Sequence, residues 1–362
     1  MLRNTLYKLT AEKKLTLGFF GGSITDGTGS TDEENKSYRA LVTRWFRETY
    51  PDADIVSINA SIGGTGTGYG MFRCDRDLLK YDPDLIFIEF CLNDFGDTYE
   101  NVLPHAEAIV RKIRKTRPCV DIIAVASADQ EVAELVGSGR EYESKEAMFA
   151  VAHRYSVPTA NAGAALVFRV LRDGGDWNAY VPDGLHPSDL GHSAMALSIE
   201  SVISELLEKS TKVDAPEAHA LPGPICPDVL AGARMTEARD IKGLTLDGFR
   251  IERSTGRRFD ERIIANRIGA SFSFDFEGPV LGFIWDDGIV SGDLSVSVDG
   301  GEPTEVRSWD HYVRSFHKMQ AALFMTGLDP TVPHRATATV TRLYGAEDTP
   351  DGAVQIGAIL TA

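Results

Sequence analysis

The sequence predicts a parallel α/β sheet flanked by helices, followed by an antiparallel β-sandwich or jelly roll. Three observations predict it. Through the first 210 residues, short apolar runs alternate with stretches of helical periodicity, the pattern of a parallel sheet covered on both faces. Residues 212–228 break that pattern with four prolines and no periodicity, which reads as an interdomain connection. Beyond them apolar residues recur at every second position, as in half-buried antiparallel strands. The expected boundaries are 1–211 for the α/β domain, 212–228 for the linker and 229–362 for the β domain.

Each element has its own signal. Strands are expected at 15–20, 54–59, 84–90, 120–127 and, from a weaker run, 156–160. Tyr38 to Phe46, Ala106 to Ile113 and Glu146 to His153 place apolar residues at helical spacing. Ser188 to Leu207 is the last helix of the first domain, with Ser188 as its N-cap. In the second domain, Ser271 to Phe276, Leu294 to Val298 and Ala336 to Thr341 alternate cleanly. Asp299-Gly300-Gly301 supplies a hairpin turn.

Four short segments carry chemistry. Gly21-Gly22-Ser23-Ile24-Thr25 follows the first strand and exposes a serine between glycines and a polar loop. Asp183-Gly184-Leu185-His186 puts a carboxylate three residues before a histidine on a tight turn. A serine hydroxyl becomes a nucleophile only when a base takes its proton, and that base needs a carboxylate to fix its tautomer. Asn59 to Thr65 and Leu92-Asn93-Asp94 each follow another strand, at the edge where α/β sheets bind ligands. A glycine amide and the Asn93 amide there suit an oxyanion.

At these places the chain resembles the SGNH (GDSL-type) hydrolase superfamily of esterases and lipases, over roughly residues 15 to 210. The resemblance implies a flavodoxin-like three-layer sandwich. It assigns Ser23 as nucleophile, His186 as base, Asp183 as its partner, and Ser23, Gly64 and Asn93 as oxyanion donors. Two departures stand out. Gly22 replaces the usual acidic residue of Gly-Asp-Ser, and Cys91-Leu92 replaces the glycine before Asn93-Asp94. Gly-Gly-Ser-Ile-Thr, the glycine-rich run from Gly63 to Gly70 and Phe72-Arg73 look like a branch that includes carbohydrate deacetylases. The implied substrate is a small-molecule or oligosaccharide acetyl ester, with no cofactor and no metal. A lipase, arylesterase or thioesterase on small acyl esters, or a non-catalytic carbohydrate-binding protein, are the alternatives.

Every assignment has a plainer counterpart. Taken alone, Ser23 reads as a helix N-cap, Gly64 as a positive-φ turn with Gly63 competing for its role, and Asn93 as a loop amide; the agreement of the four segments favours the catalytic reading. Asp26 and Asp94 read as solvated or loop-stabilising. Arg73, Trp177, Trp309 and His311 are candidate substrate contacts. For Arg73 an ion pair with Asp75 or Asp77 is the alternative, and for Trp177 packing against the sheet edge. Trp285-Asp286-Asp287 and Trp309-Asp310-His311-Tyr312 pair aromatics with polar groups, as sugar stacking does, or else serve core packing. His105, His153, His192 and His219 read as structural, and no cluster has metal-ligand spacing.

Composition excludes other classes. Hydrophobic content of 43% and charged content of 25% are those of a globular protein. A net charge of −16 argues against nucleic acid and anionic membranes as partners. The four cysteines form no CxxC pair. With no apolar segment near the N-terminus, the reading is a cytoplasmic protein without a signal peptide. A homo-oligomer is the remaining partner expectation.

Overall fold

The computed structural model describes residues 1–230, 232–254, 258–286, 291–308, 320–345 and 352–362. The chain divides into two compact units, Met1–Asp228 and Val229–Ala362.

The first unit is built on five parallel strands: β1 (Lys14–Gly21), β2 (Asp54–Asn59), β3 (Leu85–Glu89), β4 (Asp121–Ala126) and β5 (Thr159–Asn161). Their order is β2-β1-β3-β4-β5, so the chain reverses direction across the sheet at β1. Strands β3 and β4 are buried at every position, which is why they read as continuous apolar runs. Leu15, Leu17, Phe19, Leu85 and Phe87 face one layer, where Tyr38, Val42 and Phe46 of the Tyr38–Thr49 helix meet Ile199 and Ile203 of the Asp189–Glu208 helix. Phe19 and Phe87 stack with ring centroids 4.7 Å apart. On the other face lie the helices Thr67–Asp77, Tyr99–Thr116 and Glu143–Arg154.

Residues 212–228 pack against this unit rather than standing off from it. The Glu217 amide donates to Asn4 Oδ1 (2.8 Å), and Ile225 and Cys226 amides donate to the buried Glu107 carboxylate (2.6 and 2.8 Å). Arg111 forms a two-point pair with Asp228 (2.9 and 3.0 Å). The prolines deny this segment a ladder of its own, so side chains of the first unit satisfy its backbone.

The second unit is two antiparallel sheets face to face. One orders the strands Thr304–Val306, Ser291–Val298, Pro333–Tyr344, Ser271–Glu277 and Thr245–Asp247. The other orders Gln320–Thr326, Val280–Trp285, Val354–Thr361, Glu261–Ala265 and Arg250–Arg253, with Arg234–Glu237 also paired to Val354–Thr361. Phe272, Phe274 and Phe276 point inward while Ser273 and Asp275 do not, the period-2 pattern in three dimensions. At the hairpin after Val298, Asp299 (φ 52°) and Gly300 (φ 72°) are both left-handed, and the Gly301 amide closes on the Val298 carbonyl at 2.9 Å. No helix among the described residues is long and apolar enough to cross a membrane.

Candidate active site

Four strand ends of the first unit converge at one rim. Strand β1 ends at Gly21, and a short helix, Ser23–Asp26, begins two residues later. Ser23 sits in its first turn, where a backbone amide has no intrahelical acceptor. The Ser23 hydroxyl lies 2.9 Å from His186 Nε2, and His186 Nδ1 lies 2.7 Å from Asp183 Oδ2. An ionised carboxylate only accepts, so Nδ1 carries the proton and Nε2 is left to accept from the serine. Asp183 Oδ1 also accepts from the amides of Leu185 (2.9 Å) and His186 (2.6 Å). Partial burial by itself would raise the Asp183 pKa, but the hydrogen bonds from the His186 amide and ring and from Leu185 outweigh it and lower it.

The Asp183–His186 turn is tethered at both ends. The Gly184 carbonyl accepts from the Gln130 amide (3.0 Å), and the Ser188 amide donates to Tyr180 O (2.7 Å) before the Asp189–Glu208 helix starts. One turn into that helix, fully buried His192 bridges back to the loop that follows Ser23. Its Nε2 donates to Thr28 O (3.2 Å) and its Nδ1 accepts from the Tyr38 amide (3.3 Å). Burial lowers its pKa to about 4, so it is a neutral structural bridge.

The Gly63-Gly64 pair and Asn93 lie beside Ser23. A Cβ built on Gly63 would stand 3.5 Å from Ser23 Cβ, and Gly64 adopts φ 71°, which a side chain would strain. A Cβ on Gly22 would fall 1.7 Å from Asn93 Oδ1, so the Asn93 amide occupies the space next to Ser23 that a larger residue 22 would take. Gly22 is extended (φ −94°, ψ −152°); room, not backbone freedom, requires glycine there.

Two buried carboxyls support this rim. Asp94 accepts from the Thr67 amide (3.1 Å to each oxygen) and hydroxyl (2.7 Å), capping the Thr67–Asp77 helix from across the sheet. Burial pushes the Asp94 pKa up to about 7 against the pull of those bonds, with Asp97 and Glu89 adding to the rise. Glu89, the last residue of β3, accepts from Thr25 (2.8 Å) and Ser127 (2.6 Å), and Thr25 also meets the Tyr38 hydroxyl at 2.8 Å. Burial raises the Glu89 pKa as well. Asp26 accepts from Asn59 Nδ2 at 2.8 Å. The sequence reading missed Glu89 and Thr25; a carboxylate inside the apolar run Leu85–Phe90 was the available signal.

Other sequence candidates stand elsewhere. Arg73 is not a surface contact for substrate: it is fully buried, with its guanidinium on the carbonyls of Gly21 and Ala60. The helix Thr67–Asp77 is buried at every position from Tyr69 to Cys74, so Arg73, one turn after Tyr69, points into the protein and not to solvent. Trp177 packs on the cluster of Leu166, Val170, Tyr180, Val181 and Ala194. Trp285 is fully buried in the core of the second unit, its Nε1 donating to Gly292 O (3.2 Å), so it offers no stacking face. Trp309 and His311 lie outside the described residues.

Residues 19–194 match the model of the GDSL-like lipase/acylhydrolase family. The first unit is a GDSL-like acylhydrolase domain. The matched span contains every residue of the rim described above. No curated protein sequence matches the chain. Among solved structures, a two-domain esterase active on acetylated mannans resembles the whole chain at TM-score 0.83 and 23% identity, covering 100% of this chain and 95% of its own. The same kind of two-domain esterase co-crystallised with mannopentaose gives 0.82 and 23%, over 99% and 95%. The likeness is one of fold: a GDSL-like domain joined to an antiparallel β unit.

Proposed function

We propose that the protein is a serine esterase that removes acetyl groups from sugar or oligosaccharide hydroxyls. The observation that carries this reading is the unbroken series Asp183–His186–Ser23, with separations of 2.7 and 2.9 Å, at the ligand-binding edge of the sheet. His186 Nε2 takes the Ser23 proton as Oγ attacks the ester carbonyl. The carbonyl oxygen becomes an oxyanion beside the amides of Ser23 and Gly64 and the Asn93 side chain, and Asp183 stabilises the imidazolium. The imidazolium then gives its proton to the departing sugar oxygen, leaving acetyl-Ser23. Water, deprotonated by His186, attacks the acetyl carbonyl, and collapse returns the serine and releases acetate.

The preference for acetylated sugars rests on two supports. One is the Gly-Gly-Ser-Ile-Thr and Phe72-Arg73 variants; the other is a fold that, end to end, is that of an esterase active on acetylated mannans. The test has two parts. Ser23→Ala should cut p-nitrophenyl acetate hydrolysis by at least about 10³-fold; a variant as active as the parent would remove Ser23 from the mechanism. Acetate release from acetylated mono- and oligosaccharides should exceed turnover of long-chain esters, and the reverse preference would assign the site to lipid or thioester substrates.

A further inference from the structure

Arg73 presents a physical puzzle. Its side chain is fully buried, and its nearest acid, Asp77, is 3.4 Å away while lying 2.6 Å from Arg76. The guanidinium is held instead by backbone. Nη2 donates to Gly21 O at 2.9 Å, Nη1 donates to Ala60 O at 2.5 Å, and Nη2 reaches the Thr65 hydroxyl at 3.4 Å. The Phe20 ring lies 4.4 Å from the guanidinium carbon, and Nε finds no acceptor among the described residues. Burying a cation with one N–H unsatisfied and a shared counter-ion is costly, and an apolar side chain of similar volume fills such a space more cheaply. Stability alone therefore does not account for it.

Its bonds do account for something else. Gly21 ends β1 two residues before Ser23, Ala60 directly follows β2, and Thr65 directly follows Gly64. The Gly21 carbonyl that Arg73 holds also accepts from the Ile62 amide at 3.0 Å, so the same atom ties the nucleophile strand to the glycine loop. A planar fork has fixed spacing between its nitrogens, which a flexible ammonium lacks. We propose that Arg73 is a positioning residue of acyl transfer, its guanidinium setting the distance between Ser23 and the Gly63-Gly64 amides. The proposal rests on the serine-esterase reading above.

Two variants test it. Arg73→Lys keeps the charge and loses the fork; Arg73→Met keeps the stem and loses both. Active sites are counted with a phosphonate reagent that labels the serine, and thermal unfolding is recorded separately. In Arg73→Lys, kcat per labelled site on p-nitrophenyl acetate should fall about 10²-fold with KM unchanged, the cost of a displacement near 1 Å. Affinity for a boronic acid that mimics the tetrahedral intermediate should weaken by the same factor, and Arg73→Met should lose at least as much. A residue that only stabilises the fold would lower the melting temperature and leave kcat per site and boronate affinity at parental values; that result overturns the proposal. Should Arg73→Met fail to fold, Arg73→Lys decides alone. Ser23→Ala separates the two readings: if it stays active, the esterase reading fails first, whereas an inactive Ser23→Ala beside a fully active Arg73→Lys removes only Arg73.

Discussion

At Gly22 a single missing methyl group carries a testable consequence. Because a Cβ there would lie 1.7 Å from Asn93 Oδ1, Gly22→Ala forces the Asn93 amide to shift from its place beside Ser23. Loss of one oxyanion donor costs about 10²–10³ in kcat. Gly22→Ala and Asn93→Ala should each show that drop, and the double variant should be no slower than the worse single one, since both remove the same donor. Steady-state kinetics on p-nitrophenyl acetate reads all three; a fully active Gly22→Ala would mean the Asn93 amide takes no part. The sequence displays Gly22 as a departure from Gly-Asp-Ser, but its reason, Asn93, lies in the loop after β3, far along the chain. The juxtaposition of Ser23, Asp183 and His186 was legible because the proposed acyl transfer needs those residue types together. Arg73 was not, because the glycines at 66, 68 and 70 conceal the buried helix that carries it.

That helix, Thr67–Asp77, illustrates how an element forms against its local sequence. Gly66 at its N-cap offers no side chain, and Asp94 from beyond β3 supplies the cap. A reading of local propensity sees two internal glycines and no cap, and so reads a loop; a partner from another strand reverses that outcome. The cap also titrates. With a folded pKa of about 7 against an ordinary 3.8, Asp94 keeps a proton over a range where the unfolded chain has lost it. The stabilisation it contributes is therefore complete below about pH 4 and is lost as pH rises to about 7. Relative to Asp94→Asn, which does not titrate, the parent should lose up to about 1.4 kcal/mol of unfolding free energy per pH unit across that window. Urea unfolding at a series of pH values measures it, and a constant difference would show Asp94 ionised throughout. Glu89 makes a second case at the same strand end. Glu89→Leu should cost about 1–3 kcal/mol by stranding the buried Ser127 hydroxyl and leaving Thr25 with Tyr38 alone, and Glu89→Gln should cost less.

At the scale of the molecule, the change of hydrophobic period near residue 229 announced two units, and each has its own core. What the proline count did not announce is that residues 212–228 satisfy charges inside the first unit. A chain ending at Asp228 should fold and hydrolyse p-nitrophenyl acetate, since Ser23, Gly64, Asn93, Asp183 and His186 all lie within it. A chain ending at residue 211 strips the buried Glu107 of the Ile225 and Cys226 amides and Arg111 of Asp228. Asp228 is exposed and its loss costs little, but each amide bond to the buried Glu107 carboxylate is worth about 1.5–3 kcal/mol, so this shorter chain should melt below the longer one. Equal melting temperatures would show the segment to be a passive tether.

Ser23 Oγ and His186 Nε2 are separated by most of the first unit's sequence, yet they lie 2.9 Å apart. On the proposed mechanism the serine emerges early during synthesis and should stay unreactive until the turn bearing His186 has left the ribosome and the closing helix has settled. Covalent capture of Ser23 by a fluorescent phosphonate is then a clock for completion of this unit, striking only when its two distant segments have joined.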